Sequence, residues 1–235
     1  MRPIAQSDLR VSAARRARTP VVSDNQRADG LPGPVRPRHP EDFDGLYSGT
    51  PPWDIGRPQP AFVQLADGGL VTGRVLDVGC GTGEHTLMAA GLGLQALGVD
   101  VAPTAIGIAE RKARDRGLSA RFMVANALEL GSLAEQFDTV LDCGLFHIFE
   151  DDDRARYVDS LGTVIPPGGR YHMLCFSDRQ PGDWGPRRVT EQEITASFRH
   201  GWTINSIAAT KLDLTISADG AHAWLARITR TPPKP

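Results

Sequence analysis

A glycine-rich turn that directly follows an apolar strand constrains this chain more than any other feature. The stretch Arg74–Val78 favours a buried strand, and glycine then occupies three alternate positions, Gly79, Gly81 and Gly83, before a helical pattern begins. Glycine tolerates positive φ and lets the backbone approach a ligand, while the first turn of a helix presents unpaired N–H groups. We therefore predict a ligand-binding turn between a strand and a helix.

Short apolar runs with strand character recur along the chain and alternate with stretches of helical period. The strand candidates are Arg74–Val78, Gln95–Val99, Arg121–Val124, Thr139–Asp142, Arg170–Phe176, Thr203–Ala208 and Ala223–Ile228. Such alternation predicts a parallel sheet with right-handed crossovers. We interpret residues 209–222 as a long hairpin connection, which makes the last strand antiparallel to its neighbour. The predicted fold is α/β and Rossmann-like, with a seven-stranded, mostly parallel sheet and helices on both faces.

Three signals mark helix boundaries. Pro103 suits the first turn of a helix that Gly117 can close in a left-handed conformation. The acidic run 151–153 opens a second helix, because the helix dipole favours negative charge there. Thr190 and Glu193 fit a capping box at the start of a third. These signals place helices after the second, fourth and fifth strands.

The first forty residues differ in composition from the rest, with eight arginines, six prolines and no Phe, Trp or Tyr. Such a segment cannot bury enough apolar surface to offset the entropy of ordering it. We interpret residues 1–40 as a disordered basic tail ahead of a single domain, 41–235. Arg15, Arg16 and Arg18 leave a nucleic-acid patch, a transit peptide or an over-extended start codon open as alternatives.

Charge and cysteine content narrow the class of protein. The formal net charge of −2 does not favour a nucleic-acid partner. Cys80, Cys143 and Cys175 lie far apart and form no metal-binding pattern, as is typical of a reducing compartment. No apolar run reaches the ~18 residues that a membrane span needs. We expect a cytoplasmic protein without a metal or a membrane partner, and we favour a monomer although the sequence does not determine the oligomeric state.

The spacing of the three glycines indicates the class of ligand. A dinucleotide fingerprint has the pattern G-x-G-x-x-G, whereas this turn has G-x-G-x-G, with Asp77 two residues before the first glycine. The pattern resembles motif I of class I S-adenosylmethionine (SAM)-dependent methyltransferases, and nicotinamide binding is the chief alternative. The resemblance implies SAM as the cofactor and S-adenosylhomocysteine as its product.

Residues after each of the first four strands complete the expected cofactor site. Asp100 ends the second strand, where a carboxylate can bond both hydroxyls of a ribose, and it also suits a helix cap. Asn126 stands where the family usually carries Asp, and its amide is still able to bond adenine. The expected cofactor-binding residues at the strand ends are Asp77, Gly79, Cys80, Gly81, Gly83, Asp100, Val101, Asn126, Ala127, Asp142 and Cys143.

The segment after the fourth strand is expected to face the acceptor. Ligands of such sheets bind beyond the carboxyl ends of the strands, near the point where the strand order reverses. His147 in this segment is the candidate general base, and a packed or solvated histidine is the alternative. We interpret Cys143 as a pocket-lining residue, because no base that would activate its thiol is evident.

Two longer strings carry a more specific resemblance. PPWDIGRPQP at 51–60 and FSDRQPGDWGP at 176–186, together with residues 145–147, resemble a family of microbial methyltransferases that act on heterocyclic toxins, and more distantly thiopurine methyltransferases. The resemblance covers about residues 42–230. It implies that Trp53 covers the cofactor and that the loop after the fifth strand, with Arg188, walls the acceptor pocket. The expected acceptor residues are Tyr47, Phe146, His147, Phe176, Trp184 and Arg187.

These features together predict an enzyme that transfers a methyl group from SAM to O, N or S of a small aromatic or heterocyclic acceptor. Two alternatives stay open. One is a methyltransferase of protein or nucleic acid, which only the basic tail favours. The other is a non-catalytic module that binds SAM or another nucleotide. Detoxification of an antibiotic is a hypothesis that rests on resemblance alone.

Overall fold

The fold is described by a computed structural model for residues 40–232, and all of the predicted tail except Pro40 lies outside the described residues. The helices are α1 (Pro40–Leu46), α2 (Pro60–Asp67), α3 (Glu84–Gly91), α4 (Pro103–Asp115), α5 (Asp151–Val164) and α6 (Glu191–Ser197). The strands are β1 (Val75–Val78), β2 (Ala96–Asp100), β3 (Arg121–Val124), β4 (Thr139–Cys143), β5 (Arg170–Phe176), β6 (Trp202–Leu214) and β7 (Ser217–Arg230). Short 3₁₀ segments follow β3 at Ala127–Leu133 and β4 at Phe146–Ile148.

One sheet contains all seven strands, in the order β3-β2-β1-β4-β5-β7-β6. The first five strands pair in parallel, and β7 pairs antiparallel with both β5 and β6. The predicted fold class is confirmed, including the antiparallel last strand. Because the strand order reverses between β1 and β4, the natural ligand crevice lies at the carboxyl ends of these strands.

Two apolar layers cover the sheet and hold the strand ends in place. One layer contains buried aromatic side chains of α5 and β5, such as Tyr157 and Tyr171, together with Phe198 after α6. The other packs α2 and α3 on the opposite face and includes Phe62 and Leu174. Full burial of one such side chain contributes ~1.5–3 kcal/mol, so these layers provide a rigid base for the loops above.

The hairpin formed by β6 and β7 differs from the prediction. Residues 209–222 are not a connection, because β6 continues to Leu214, β7 begins at Ser217, and only two residues form the turn. Gly220, expected in the turn, lies inside β7 with a φ of 64°. A Cβ there would lie 2.6 Å from the carbonyl oxygen of Leu212. The glycine therefore accommodates a local shift in strand register and does not end the strand.

This hairpin rises above the carboxyl edge of the sheet. Phe176, the last residue of β5, pairs with Ala223, and Ala223 pairs with Thr210. Residues 211–222 therefore extend beyond the end of β5, next to the ligand crevice. The prediction failed because Asp-Gly favours a turn in isolation, whereas the actual turn, Thr215–Ile216, carries no turn signal.

The predicted helix signals after β2, β4 and β5 are confirmed. α4 begins at Pro103 and Gly117 follows it with a φ of 64°, while Thr190 and Glu193 form both bonds of a capping box. The first two helices were not predicted, because residues 40–60 are rich in proline. Within residues 40–232, no helix combines the length and the apolar character needed to cross a membrane. The same residues include no cluster of three potential metal ligands.

Candidate cofactor and acceptor site

The glycine turn is packed tightly from both sides. Gly79, Gly81 and Gly83 have φ values of 68°, 51° and 87°, which lie in the left-handed region. A Cβ at Gly83 would lie 2.8 Å from the Cβ of Ala109 on α4, and one at Gly81 would lie 2.8 Å from the hydroxyl of Tyr47. Larger residues would therefore push α4 or the N-terminal segment away from the turn.

Asp77 lies beneath the turn, and only one of its two carboxylate oxygens is hydrogen-bonded within the protein. Oδ2 accepts hydrogen bonds from the backbone N–H and the hydroxyl of Thr86, at 3.0 and 2.8 Å. Oδ1 is buried and has no hydrogen-bond partner among the described residues. Burial, opposed by the Thr86 bonds and assisted by Asp100 and Asp142, raises the pKa of Asp77 to about 7. An unpaired carboxylate oxygen in such a place suits a cationic ligand group.

Asp100 at the end of β2 supports the same turn. Its two oxygens accept from the backbone N–H groups of Gly81 at 2.8 Å and Ala102 at 2.9 Å. Burial raises the pKa of the Asp100 carboxyl, while these N–H groups lower it. Each carboxylate oxygen accepts about two hydrogen bonds, so two positions remain for a diol. The capping role and the expected ribose contact are therefore compatible.

These residues fit SAM. The unpaired Oδ1 of Asp77 matches the cofactor's ammonium group, and the remaining lone pairs of Asp100 match the ribose hydroxyls. The glycines let the backbone approach the amino-acid end of the ligand. The fit depends on buried acceptors that the protein itself does not satisfy.

Asp142 differs from this pattern and corrects the prediction that its side chain binds the cofactor. Its carboxylate is fully buried and accepts from the hydroxyls of Tyr157 and Tyr171 and from the backbone N–H groups of Leu145 and Phe146. With four donors in place, the carboxylate has no acceptor position left for a ligand. It holds the 3₁₀ segment after β4 in its conformation.

The other residues that were expected to bind the cofactor differ in their burial and in their hydrogen bonds. Cys80 is buried, and its Sγ lies where a Cβ on Gly98 of β2 would collide with it. Burial raises the pKa of the thiols of Cys80 and Cys143, which disfavours nucleophilic thiolates. Asn126 is exposed and its Oδ1 accepts from Leu128 N at 3.0 Å, which leaves its NH₂ group and one lone pair of Oδ1 to bond adenine. Val101 is half-buried and Ala127 buried, each beside a polar residue of the expected site.

Residues 40–60, which we call the N-terminal cap, lie against the glycine turn. Tyr47 packs with Ala102 and Ala105 at the start of α4, and its hydroxyl accepts from Nε1 of Trp53 at 3.3 Å. Trp53 is 41% exposed. Tyr47 was expected near the acceptor, whereas its neighbours Gly81 and Ala102 belong to the cofactor half.

A charged network that sequence reasoning missed fastens the cap to the turn. Thr82 donates to Asp54 at 3.0 Å and accepts from Nζ of Lys112 at 2.7 Å. Lys112 also bonds Glu84 at 2.9 Å, and Arg116 forms two hydrogen bonds with the same carboxylate. The four-residue spacing of Lys112 on α4 and Arg116 just after it is the only signal that the sequence carries for this network.

A second set of contacts ties the cap to the hairpin. The amide of Gln59 both donates to and accepts from the backbone of Asp213, and Gln59 N donates to Nε2 of His85 at 3.1 Å. Thr215 N donates to the carbonyl of Pro52 at 2.9 Å. The cap and the hairpin turn thus meet beside the crevice. Nothing in the sequence indicates this contact across more than 150 residues.

The acceptor half contains aromatic side chains at the end of β5. The ring of Phe176 lies edge-on to His147, with centroids 5.2 Å apart, and edge-on to Trp184, with centroids 5.6 Å apart. Phe146 was also expected to face the acceptor, but it is fully buried, stacks on Phe198 and lies under the guanidinium of Arg154. Its place in the core corrects that prediction.

The structure argues against His147 as a general base. Its Nδ1 accepts a hydrogen bond from the backbone N–H of Phe176 at 3.0 Å. A neutral imidazole has one acceptor nitrogen, so the other nitrogen carries the proton and cannot take a second one from a substrate. Burial, helped by the positive charges of Arg154 and Arg188, lowers the pKa of His147 to about 3.

Arg187 and Arg188, in the loop after β5, form their contacts within the protein. Arg187 pairs with Asp151 and with Glu193, and it lines an open groove between α5 and α6. This placement does not agree with the predicted acceptor contact. Arg188 donates to loop carbonyls, including those of Gln180 and Pro186, and lies over the ring of Phe176. It fixes the loop that carries Trp184.

Comparisons with known proteins agree with this geometry. Residues 75–169 match the sequence model of a family described as "Methyltransferase domain". The chain is 37% identical over 165 residues to 2-heptyl-1-hydroxyquinolin-4(1H)-one methyltransferase of Mycobacteroides abscessus, covering 69% of this chain and 73% of that protein. It is 28% identical over 148 residues to probable thiol methyltransferase 2 of Arabidopsis thaliana, covering 62% and 66%.

A solved structure gives the same result for the fold. It comes from work on the conversion of a disulfide bond into a thioacetal group during echinomycin biosynthesis, and it is similar to this chain with a TM-score of 0.76. The sequences are 41% identical, and the match covers 82% of this chain and 93% of that one. The glycine turn, the strand order and these relatives lead to one conclusion: the chain belongs to the class I SAM-dependent methyltransferases.

Proposed function

We propose that this enzyme methylates a small aromatic or heterocyclic acceptor that binds already ionised at O, N or S. The observation that carries the proposal is that none of the three titratable side chains at and just after the end of β4, those of Asp142, Cys143 and His147, is available as a base. There, Asp142 has four donors, His147 uses its acceptor nitrogen internally, and burial raises the pKa of the Cys143 thiol. An acceptor that loses its proton to water before binding needs no such base.

Binding and alignment are then the main tasks of the protein. Bound SAM supplies an electrophilic methyl group on a positively charged sulfur, and displacement leaves S-adenosylhomocysteine. We assign Asp77 to the ammonium end and Asp100 to the ribose, with the glycine turn between them. Tyr47 and Trp53 cover the cofactor and exclude water from the crevice. A fixed approach of the nucleophile along the line of the breaking bond can supply most of the rate.

The acceptor pocket is assigned to the space between the ends of β4 and β5 and the hairpin extension, residues 211–222. Phe176 and Trp184 offer flat apolar surfaces, which suit an aromatic ring. Two relatives act, by name, on a hydroxyquinolinone and on a thiol, which supports ring hydroxyls and thiols as acceptor groups. The hypothesis that the enzyme inactivates a foreign heterocyclic compound rests on the resemblance to the heterocyclic toxin methyltransferases.

The test is a transfer assay with methyl-labelled SAM and matched acceptors. We expect turnover of hydroxyquinolones and aromatic thiols that are ionised near neutral pH, and rates at least ~100-fold lower for aliphatic alcohols of similar size, because these stay protonated. Azoles and thiopurines extend the series. Transfer to an unionised alcohol at the same rate as to a hydroxyquinolone would contradict the proposal, and so would labelling of none of these compounds.

The same assay addresses the tail and a macromolecular substrate. We propose that residues 1–40 are a tail outside the catalytic domain, 41–235, and that the enzyme acts in the cytoplasm. A variant without residues 1–40 should keep its turnover of a small acceptor within about twofold. Label that enters only protein or RNA of a cell extract, and does so only with the tail present, would favour the macromolecular alternative.

A further inference from the structure

The hydrogen bond and the packing of His147 determine which of its two ring nitrogens carries the proton. Nδ1 accepts from the backbone N–H of Phe176 at 3.0 Å, and the ring packs edge-on against the Phe176 side chain. These two contacts fix both the position and the rotation of the imidazole. In a neutral ring with Nδ1 as the acceptor, the proton lies on Nε2.

Nε2 lies beside Gly144, just after the end of β4. It makes no hydrogen bond to another described residue, and it is not among the buried polar side-chain atoms that lack a partner. A Cβ on Gly144, whose φ is 84°, would lie 3.4 Å from both Nε2 and Cε1. Gly144 therefore lies beside the Nε2 edge of the ring, and a side chain at this position would contact that edge.

The charges around the ring keep it neutral. Arg154 of α5 and Arg188 of the loop after β5 both oppose a positive charge on the imidazole. The carboxylate of Asp142 on β4 makes its four hydrogen bonds to two tyrosines and to the backbone of Leu145 and Phe146. Among the described residues no carboxylate hydrogen-bonds to this imidazole, and burial also disfavours its charged form, so the ring stays neutral and Nε2 keeps its proton.

We propose that His147 donates a hydrogen bond from Nε2–H to the ionised acceptor and thereby selects acceptors that bind as anions. This inference rests on the proposed function. A neutral donor favours a negatively charged oxygen, nitrogen or sulfur over a protonated one, because only the ionised group accepts strongly. His147 then acts on acceptor binding and position and moves no proton during methyl transfer.

The experiment compares the full-length wild type with His147→Gln and His147→Phe. Gln keeps an N–H donor near the position of Nε2, whereas Phe keeps the ring shape without a donor. The readouts are kcat and KM between pH 5.5 and 8.5 for two hydroxyquinolones whose own pKa values differ. Calorimetry with S-adenosylhomocysteine and the Tm of each variant serve as folding controls.

We expect His147→Phe to lower kcat/KM about 30-fold, mainly through KM, and His147→Gln to recover most of the loss. In all three proteins, the acidic limb of the pH profile should follow the pKa of the acceptor used. The inference is overturned if the limb has the same pKa for both acceptors and disappears in the Phe variant, which is the behaviour of a base. A Phe variant with unchanged KM overturns it as well.

Two further outcomes separate this inference from the proposed function. If the wild type turns over neither acceptor but binds SAM, the proposed function fails before His147 is tested. If His147→Phe does not fold, the pH profiles of the wild type with the two acceptors still test whether His147 acts as a donor or as a base. A common protein pKa in those profiles contradicts the donor role, and limbs that move with the acceptor support it.

Discussion

The buried aspartates in the two halves of the site differ in how many of their acceptor positions the protein fills with hydrogen bonds. At the ends of β1 and β2, Asp77 has a buried oxygen without a partner and Asp100 keeps unused lone pairs. At the ends of β4 and β5, Asp142 accepts four hydrogen bonds and Arg188 is bonded to loop carbonyls. A buried acceptor without a partner costs ~1–3 kcal/mol, and a bonded one does not.

This difference separates the expected roles of the two halves, which are ligand binding at Asp77 and internal support at Asp142. In the cofactor half, the unpaired oxygen of Asp77 carries a free-energy cost, which the proposed contact with the cofactor's ammonium group would remove. In the acceptor half, the buried carboxylate of Asp142 is satisfied within the protein, and the ring of Phe176 lies beside His147. Substitutions of the two buried aspartates should therefore have opposite consequences, which the following experiments test in order of expected size.

Asp142→Ala should have the largest effect, and that effect should be on stability. The change leaves two tyrosine hydroxyls and two backbone N–H groups without their acceptor. We expect the free energy of unfolding to fall by ~3–5 kcal/mol and the Tm of the ligand-free protein to fall by about 10 °C. Asp142→Asn, which keeps one acceptor, is the control and should lose less. A variant as stable as the wild type but unable to bind SAM would show that the two halves do not differ.

Asp77→Asn should weaken binding of SAM about 30-fold without lowering stability. The amide oxygen can still accept from Thr86, and only the charge and the unpaired acceptor are lost. Calorimetry of SAM binding at pH 7.5 gives the affinity. An equal loss of affinity for an uncharged nucleoside that lacks the amino-acid end would contradict the assignment to the ammonium group.

The pH dependence of the same variant sharpens this prediction. The folded-state pKa of Asp77, about 7, is raised above the ordinary value of 3.8, so its stabilising effect is complete below about pH 4 and is lost as the pH rises through 7. Asp77→Asn should therefore raise the Tm of the ligand-free protein by a few degrees at pH 8. Binding of SAM needs the ionised carboxyl, so the wild type should gain about tenfold in affinity between pH 6 and 7.5, and the variant should not.

Tyr47→Phe should have the smallest effect. It removes one hydroxyl that accepts from Nε1 of Trp53 at 3.3 Å, and a neutral bond of this kind contributes ~0.5–1.5 kcal/mol. We expect the Kd for S-adenosylhomocysteine to rise three- to fivefold, roughly the energy of that bond, with the KM of the acceptor unchanged. A raised acceptor KM with an unchanged cofactor Kd would instead return Tyr47 to the acceptor side, as the sequence first suggested.

Local patterns in the sequence were sufficient for the sheet, the helix caps and the cofactor half. The alternation of strands and helices predicted five of the strands within one or two residues, because buried strands and capped helices have short-range signatures. The glycine spacing and Asp77 led to SAM for the same reason. The prediction for the last hairpin was wrong. A bulge and a turn both favour glycine, and only the pairing with β6 shows that Gly220 lies in a bulge.

The sequence by itself determined the fold class and the nature of the cofactor, since both depend on neighbouring residues along one strand and one turn. Only the tertiary structure decided which polar groups are free to act. Asp77 and Asp142 are both acids on buried strands, and tyrosines 15 and 29 residues away satisfy the second but not the first. The tautomer of His147 likewise depends on a backbone N–H 29 residues further on. Hydrogen-bond partners at such separations are set by packing, and packing is not visible in a local pattern.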